Sequence, residues 1–350
     1  MKRSLLILLL VVVLALPSAA MAQVRVGIAM PTQSLQRWNQ DGANMKQQFE
    51  ASGYAVDLQY ANNDVALQVS QIENMILNGA EILVIASIDG SALGTVLEIA
   101  KDEKIPVIAY DRLIMETDAV SYYATFDNYM VGSIQGEYLV EALGLENLAG
   151  SVNIELTGGS PDDNNARYFY QGAFDAIAPY IESGKVVIPS GQTVFEQIAT
   201  LEWSSERAQA RMDNLIAAHY SDGRKLDAVL CSNDSTALGV TNSLINAGFE
   251  DDNFPLITGQ DCDIANVKNI MIGRQAMSVF KDTRTLASKV VGMVEAIVNG
   301  EEPEINDTET YFNGVAVIPT YLCAPVFADL NNLEELLVDS GYYTREQLGI

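Results

Sequence analysis

The sequence predicts an α/β protein built from two doubly wound parallel-sheet lobes. Three observations carry that prediction. Short, continuously apolar runs alternate with segments of helical periodicity, and strands apolar on both faces belong in parallel sheets covered by helices on each side. The alternation runs through one series and begins again near residue 151. The chain has 350 residues, 49% of them hydrophobic and 19% charged, a balance that gives packed cores rather than disorder and a length that suits about two domains.

In the first series, VRVGIA (24–29) reads as a strand and Leu35 to Ala51 as a helix. Tyr54 to Tyr60 is an alternating strand. Asp64 is placed to cap a helix whose apolar stripe is Val65, Val69, Ile72 and Ile76. A fully apolar strand at Ile82–Ala86 leads to a helix from Ser91 to Glu103. Strands at Pro106–Tyr110 and Val120–Ala124 follow, then a helix from Asn128 to Leu143.

The second series opens at 151–167, SVNIELTGGSPDDNNAR. Val152, Ile154 and Leu156 mark a buried strand, Gly158 and Gly159 end it, and a helix follows over 163–182. A helix cap needs one Asp or Asn; the four at 162–165 exceed that need. The remaining strands fall at 185–189, 227–231, 255–259 and 276–280, with helices at 205–220, 235–247, 264–272 and 283–299. The acidic segment 300–310 reads as a solvated loop. Short strands at 315–318 and 321–322 and a helical tail close the chain.

The N-terminus has the form of an export signal: Lys2 and Arg3, an apolar run from Leu5 to Leu16, then Ala20-Met21-Ala22 as a small-x-small cleavage site. The run is too short to span a bilayer, which takes about 20 residues. Removing residues 1–22 from 350 leaves 328, and losing Lys2 and Arg3 takes the formal charge from −26 to −28. So acidic a chain repels nucleic acid and anionic lipid. Cys231, Cys262 and Cys323 are odd in number and widely spaced, which is neither a disulfide framework nor a zinc site. Buried free thiols are the favoured state, with one bridge between Cys231 and Cys262 as the alternative.

Polar residues cluster just after the strands: Arg37 and Trp38, Asp89, Asp111 and Arg112, Asp127 and Asn128, Asp163 to Asn165, Trp203, Asn233 and Asp234, Asp261, Lys281 and Asp282. Open α/β sheets bind ligands at the carboxyl ends of their strands. Two lobes facing each other along those edges would bring these groups to one cleft. Within the set, Arg37, Arg112 and Lys281 balance Asp111, Asp163 and Asp261, so a neutral polyol fits better than an anion. Trp38 and Trp203 offer flat faces to the C–H side of a sugar ring.

The segments VGIAMPT (26–32), QRW (36–38), VIASIDG (84–90), VIAYDRLI (107–114), VSYYATFDN (120–128), GGSPDDNNA (158–166), SND (232–234), GQD (259–261) and FKDTR (280–284) resemble the periplasmic sugar-binding proteins of ABC importers. These have the type I, ribose-binding-like fold, and the likeness is to the multiple-sugar and D-xylose branches. It covers the whole chain after residue 22. It implies a monosaccharide ligand of the xylose, glucose, galactose or arabinose type. It implies contacts at Arg37, Asp111, Arg112, Asp163, Asn165, Trp203, Asn233, Asp261 and Lys281, with Trp38 beside them. It implies a three-strand hinge crossing near 127–128, 281–282 and 318–319. The lobes would then be 23–127 plus 282–318 and 128–281 plus 319–350. The implied partners are an ABC permease of the inner membrane and a chemoreceptor or sensor kinase, for a periplasmic monomer. Some relatives carry a calcium loop, but GLENLAG (144–150) lacks the spaced oxygens that such a loop needs. No metal, cofactor or catalytic residue is expected.

Three rival functions are weaker. A glycosidase using Asp111 and Asp163 would be possible in principle, but the sole histidine, His219, falls on a helix and there is no phosphate loop. A repressor's effector domain would need a DNA-binding helix pair where the export signal stands. A receptor for a furanosyl autoinducer or polyol is the nearest alternative.

Overall fold

The computed structural model describes residues 23–250 and 253–350; the export signal lies outside the described residues. The first series forms β1 (Arg25–Met30), α1 (Gln36–Ala51), β2 (Ala55–Tyr60), α2 (Val65–Leu77), β3 (Ile82–Ile85), α3 (Gly94–Asp102), β4 (Val107–Tyr110) and β5 (Tyr122–Phe126). Asp64 caps α2 as expected, its carboxylate accepting from the Leu67 N–H at 3.0 Å.

The chain then crosses to the second series: α4 (Asn128–Ala142), β6 (Val152–Thr157), α5 (Asn165–Glu182), β7 (Val186–Val187), a short α6 (Phe195–Ile198), α7 (Ser205–His219), β8 (Ala228–Cys231), α8 (Asp234–Asn246), β9 (Leu256–Ile257), α9 (Ile264–Met271) and β10 (Met277–Phe280). It returns with α10 (Thr283–Asn299) and ends in β11 (Thr320–Cys323), β12 (Val326–Asp329) and α11 (Arg345–Leu348).

Among the described residues the first lobe has a six-stranded sheet in the order β11-β5-β4-β3-β1-β2, parallel throughout. One face is covered by α1 and α10 around Met45, Phe49, Val290 and Val294. The other is covered by α2 and α3 around Ile72, Met75, Val96 and Leu97. The second lobe repeats the plan with the order β7-β6-β8-β9. Backbone bonds from Ala276 N to Ile257 O and from Val279 N to Gly259 O extend it to β10. β12 then pairs with β10 in the antiparallel sense. Helices α4 and α5 pack on one side, and α7 and α8 on the other.

Three sequence readings change here. Residues 315–318 make no strand; Phe312 and Val317 form a single antiparallel bridge, with the Asn313 side chain holding Ile114 O and Thr117 O. The expected helical tail begins instead with β12, whose first half faces solvent. The third crossing was placed at 318–319, but Thr320–Cys323 pairs in parallel with β5. The chain therefore stays in the first sheet until Cys323, and the crossing falls at Ala324–Pro325.

The chain leaves β5 at Asp127 and β10 at Lys281–Asp282. Asp127 and Asp282 each cap the helix that follows, accepting from Met130 N at 2.9 Å and Arg284 N at 3.0 Å. All three cysteines are free and buried, and burial pushes the Cys323 thiol up to about 11. Among the described residues no helix is long and apolar enough to cross a membrane.

Candidate functional site

The carboxyl ends of both sheets meet at a narrow, largely filled cavity of about 20 Å³. Of the ten expected residues, Arg37, Trp38, Asp111, Arg112, Asp163, Trp203, Asn233, Asp261 and Lys281 line it. Asn165 does not. Its amide nitrogen donates to Asp111 O at 2.5 Å and its oxygen accepts from the Tyr123 hydroxyl at 2.9 Å. Both its polar ends are thus spent joining the lobes. Of its neighbours, only Asp163 turns inward; Asp162 is exposed and Asn164 half-buried.

Each lining group is held by the end of a named element. Arg37 sits on the first turn of α1. Its Nη2 lies 2.9 Å from both Asp41 and Asp111, and its Nη1 lies 3.4 Å from Asp261 across the cleft. Lys281, at the end of β10, lies 2.8 Å from Asp261. Arg112 donates to Ser87 O at 3.1 Å. Its Nε is 3.0 Å from Asp163 Oδ2, an ion pair across the cleft that is not aligned as a hydrogen bond. Asn233 caps α8 with its oxygen, accepting from Thr236 N at 2.9 Å, which leaves its NH₂ group for a ligand.

The aromatic walls differ from the sequence reading. The ring of Trp38 is covered by cations, with the Arg37 and Arg112 guanidinium carbons 4.5 and 5.0 Å from its centroid. Its buried N–H has no partner. Trp203 donates to Asp163 at 3.3 Å and meets Phe169 edge to face. The double glycine explains its position: a Cβ on Gly159 would lie 1.9 Å from the Trp203 ring, so only glycine lets the indole rest on that backbone. Asp111, Trp203 and Asp261 have φ of 59°, 56° and 98°, left-handed conformations of the kind that gather at binding sites.

Sequence reasoning missed Leu35, Phe169, Gln260 and Asp263 on the lining, and Asp41 behind Arg37. Two of these follow a readable rule: Phe169 is four residues past Asn165 and Asp41 four past Arg37, so each shares a helix face with a residue already singled out. The charge balance therefore changes. Three cations meet five carboxylates, a formal surplus of two negative charges. Burial moderates it by pushing Asp41 up to about 6 and Asp263, which also faces Asp261, up to about 7. Burial works against ionised Asp111 as well, but Arg37, Lys281 and Arg112 hold its pKa below the usual range. The corrected balance disfavours an anionic ligand more strongly than an even one.

The raised Asp263 value has a measurable consequence. A carboxyl that binds its proton more tightly when folded makes stability fall as pH rises from its unfolded value near 4 to its folded one. Asp263→Asn is expected to gain stability relative to the wild-type protein between pH 4 and 7.5. Paired urea titrations at those two values check it; a pH-independent difference would refute it.

Among the described residues no group of three or more His, Cys, Asp or Glu is placed to hold a metal ion. The periplasmic binding protein domain model matches residues 26–302. The chain is 49% identical over 334 residues to the multiple sugar-binding periplasmic receptor ChvE of Rhizobium radiobacter, covering 95% of this chain and 94% of that one. It is 35% identical to the D-xylose-binding periplasmic protein of Escherichia coli, covering 93% of each. Among solved structures, an ABC transporter solute-binding protein of Clostridium phytofermentans with bound β-D-glucose superposes with a TM-score of 0.90 at 63% identity, covering 93% of this chain and 99% of that one. A carbohydrate-transporter solute-binding protein of Chloroflexus aurantiacus in complex with D-glucose gives 0.83 at 33%, covering 92% and 97%. On that match along nearly its whole length, the chain belongs to the periplasmic binding protein family.

Proposed function

We propose that this protein captures a neutral monosaccharide, D-glucose first among the candidates, and carries it unchanged to an ABC permease. The observation that carries the reading is the lining itself: cations, carboxylates and an amide converge from both lobes on one narrow cleft. Sugar hydroxyls donate to carboxylates and accept from guanidinium, ammonium and amide groups. The relatives named above, with their sugars, support it.

Capture proceeds by hinge closure of the two lobes at the three crossings. Arg37–Asp261 and Arg112–Asp163 bring the cleft edges together, and the sugar replaces water between them. Many hydrogen bonds in a dry site supply on the order of −8 kcal/mol, a micromolar affinity. Export through a cleaved signal to the periplasm, a monomeric state, and a second reading by a chemoreceptor or sensor kinase belong to the same proposal.

Binding without catalysis is the expected behaviour. Asp111 and Asp163 are both engaged by guanidinium groups, and the cations around Asp111 hold it ionised. A thermal-shift panel of pentoses and hexoses tests the binding. A ligand at a hundredfold excess over Kd stabilises by about 2.7 kcal/mol, which raises Tm by roughly 4 °C at this size. No shift with any sugar would refute capture. Mass spectrometry of the recovered sugar tests the chemistry, and any product would refute passive binding.

A further inference from the structure

Gln260 is one of the lining residues, with Trp38, Arg112 and Asp263, that carry a buried polar atom without a hydrogen bond; it is the uncharged acceptor among them. It follows β9 in the segment Gly259-Gln260-Asp261 and is 1% exposed. Its backbone is fixed, with Gln260 O accepting from Asp234 N at 3.0 Å and Gln260 bridging Val279. Gly259 allows this approach: a Cβ there would lie 2.1 Å from Asp234 Oδ1.

The side chain is oriented just as firmly. Nε2 donates to Ser232 O at 2.6 Å, a carbonyl that can only accept, so the amide cannot be flipped without loss. Oε1 is then the end left over, buried with no partner in a residue that lines the cavity. A buried acceptor without a donor keeps the penalty of its lost hydration until a donor arrives. Asp41, Asp111, Asp163 and Asp261, by contrast, all have cations or hydrogen bonds already.

We infer that Gln260 is a specificity-determining residue, whose pinned Oε1 accepts a hydrogen bond from one particular ring hydroxyl of the bound sugar. The inference rests on the sugar-binding reading above and deepens it. A site built to accept from a hydroxyl rejects an analogue lacking it, because the acceptor is then left unpaired. Gln260 therefore selects for a hydroxyl at a single ring position, while the charged pairs grip the rest of the ligand.

Calorimetry with D-glucose, or the tightest sugar of the panel, and its monodeoxy analogues tests this. In the wild-type protein one analogue is expected to bind about tenfold or more weakly. In Gln260→Met, which keeps the length but removes the acceptor, the penalty for that same analogue is expected to shrink to about threefold or less. The other penalties should stay unchanged. Gln260→Ala, which also removes the acceptor, serves as the readout if the methionine variant fails to fold. Penalties unchanged at every position in the variant that folds, or lost equally at all of them, would overturn the assignment. A wild-type protein that binds no sugar at all would instead overturn the functional reading on which the assignment rests.

Discussion

Asp111→Asn is expected to weaken sugar binding at least about tenfold, and up to about 150-fold. The carboxylate lies 2.9 Å from Arg37 Nη2 in a site closed to water, where losing a hydrogen bond to a charged group costs about 1.5–3 kcal/mol. Asparagine is the cleaner substitution because Asp111 has φ of 59°, a conformation that Asn also tolerates. Asp111→Ala adds strain of about 1–2 kcal/mol there and should melt earlier as well. The backbone carbonyl of Asp111 receives Asn165 and Thr125, a contact that both variants keep. Titration calorimetry on both variants decides the matter, and an Asn variant with wild-type affinity would mean that the sugar sits elsewhere.

Gly132→Ala is expected to lower stability by on the order of 3 kcal/mol, and the melting temperature by about 4 °C. Helices α4 and α5 touch backbone to backbone. A Cβ on Gly132 would lie 2.0 Å from Phe169 O, one on Gly136 2.6 Å from Ala173 O, and one on Gly172 2.1 Å from Tyr129 O. No side chain can swing aside to make room, so the helices must part. The first turns of α5 carry Asn165 and Phe169, so parting them also disturbs the cleft, and sugar affinity should fall together with stability. Differential scanning calorimetry measures the first effect; a variant melting within about 2 °C of the wild-type protein would refute the close approach.

The fold was largely legible because its signals are local. Continuous runs such as Ile82–Ile85 and Val107–Tyr110 are buried throughout, and burial on both faces is what a parallel sheet imposes on sequence. The tail was misread because β12 is a half-exposed edge strand, and its pairing with β10 depends on a partner nearly fifty residues earlier rather than on its own pattern. In the site, the residues just past strand ends were found because parallel strands of one sheet share an edge. Asp41 and Asp263 were missed because their role lies in the second turn of α1 and beyond the strand-end position. Without them the cleft looked evenly charged. Gln260 stood inside a recognised segment, yet nothing in the sequence shows that its amide nitrogen would be taken by Ser232 and its oxygen left bare.

The outermost strand of each sheet is supplied by a single short stretch, Thr320–Cys323 for one lobe and Val326–Asp329 for the other. Neither sheet is therefore complete without that stretch, and the same few residues close both halves, so the two lobes are tied into one folding unit at this point.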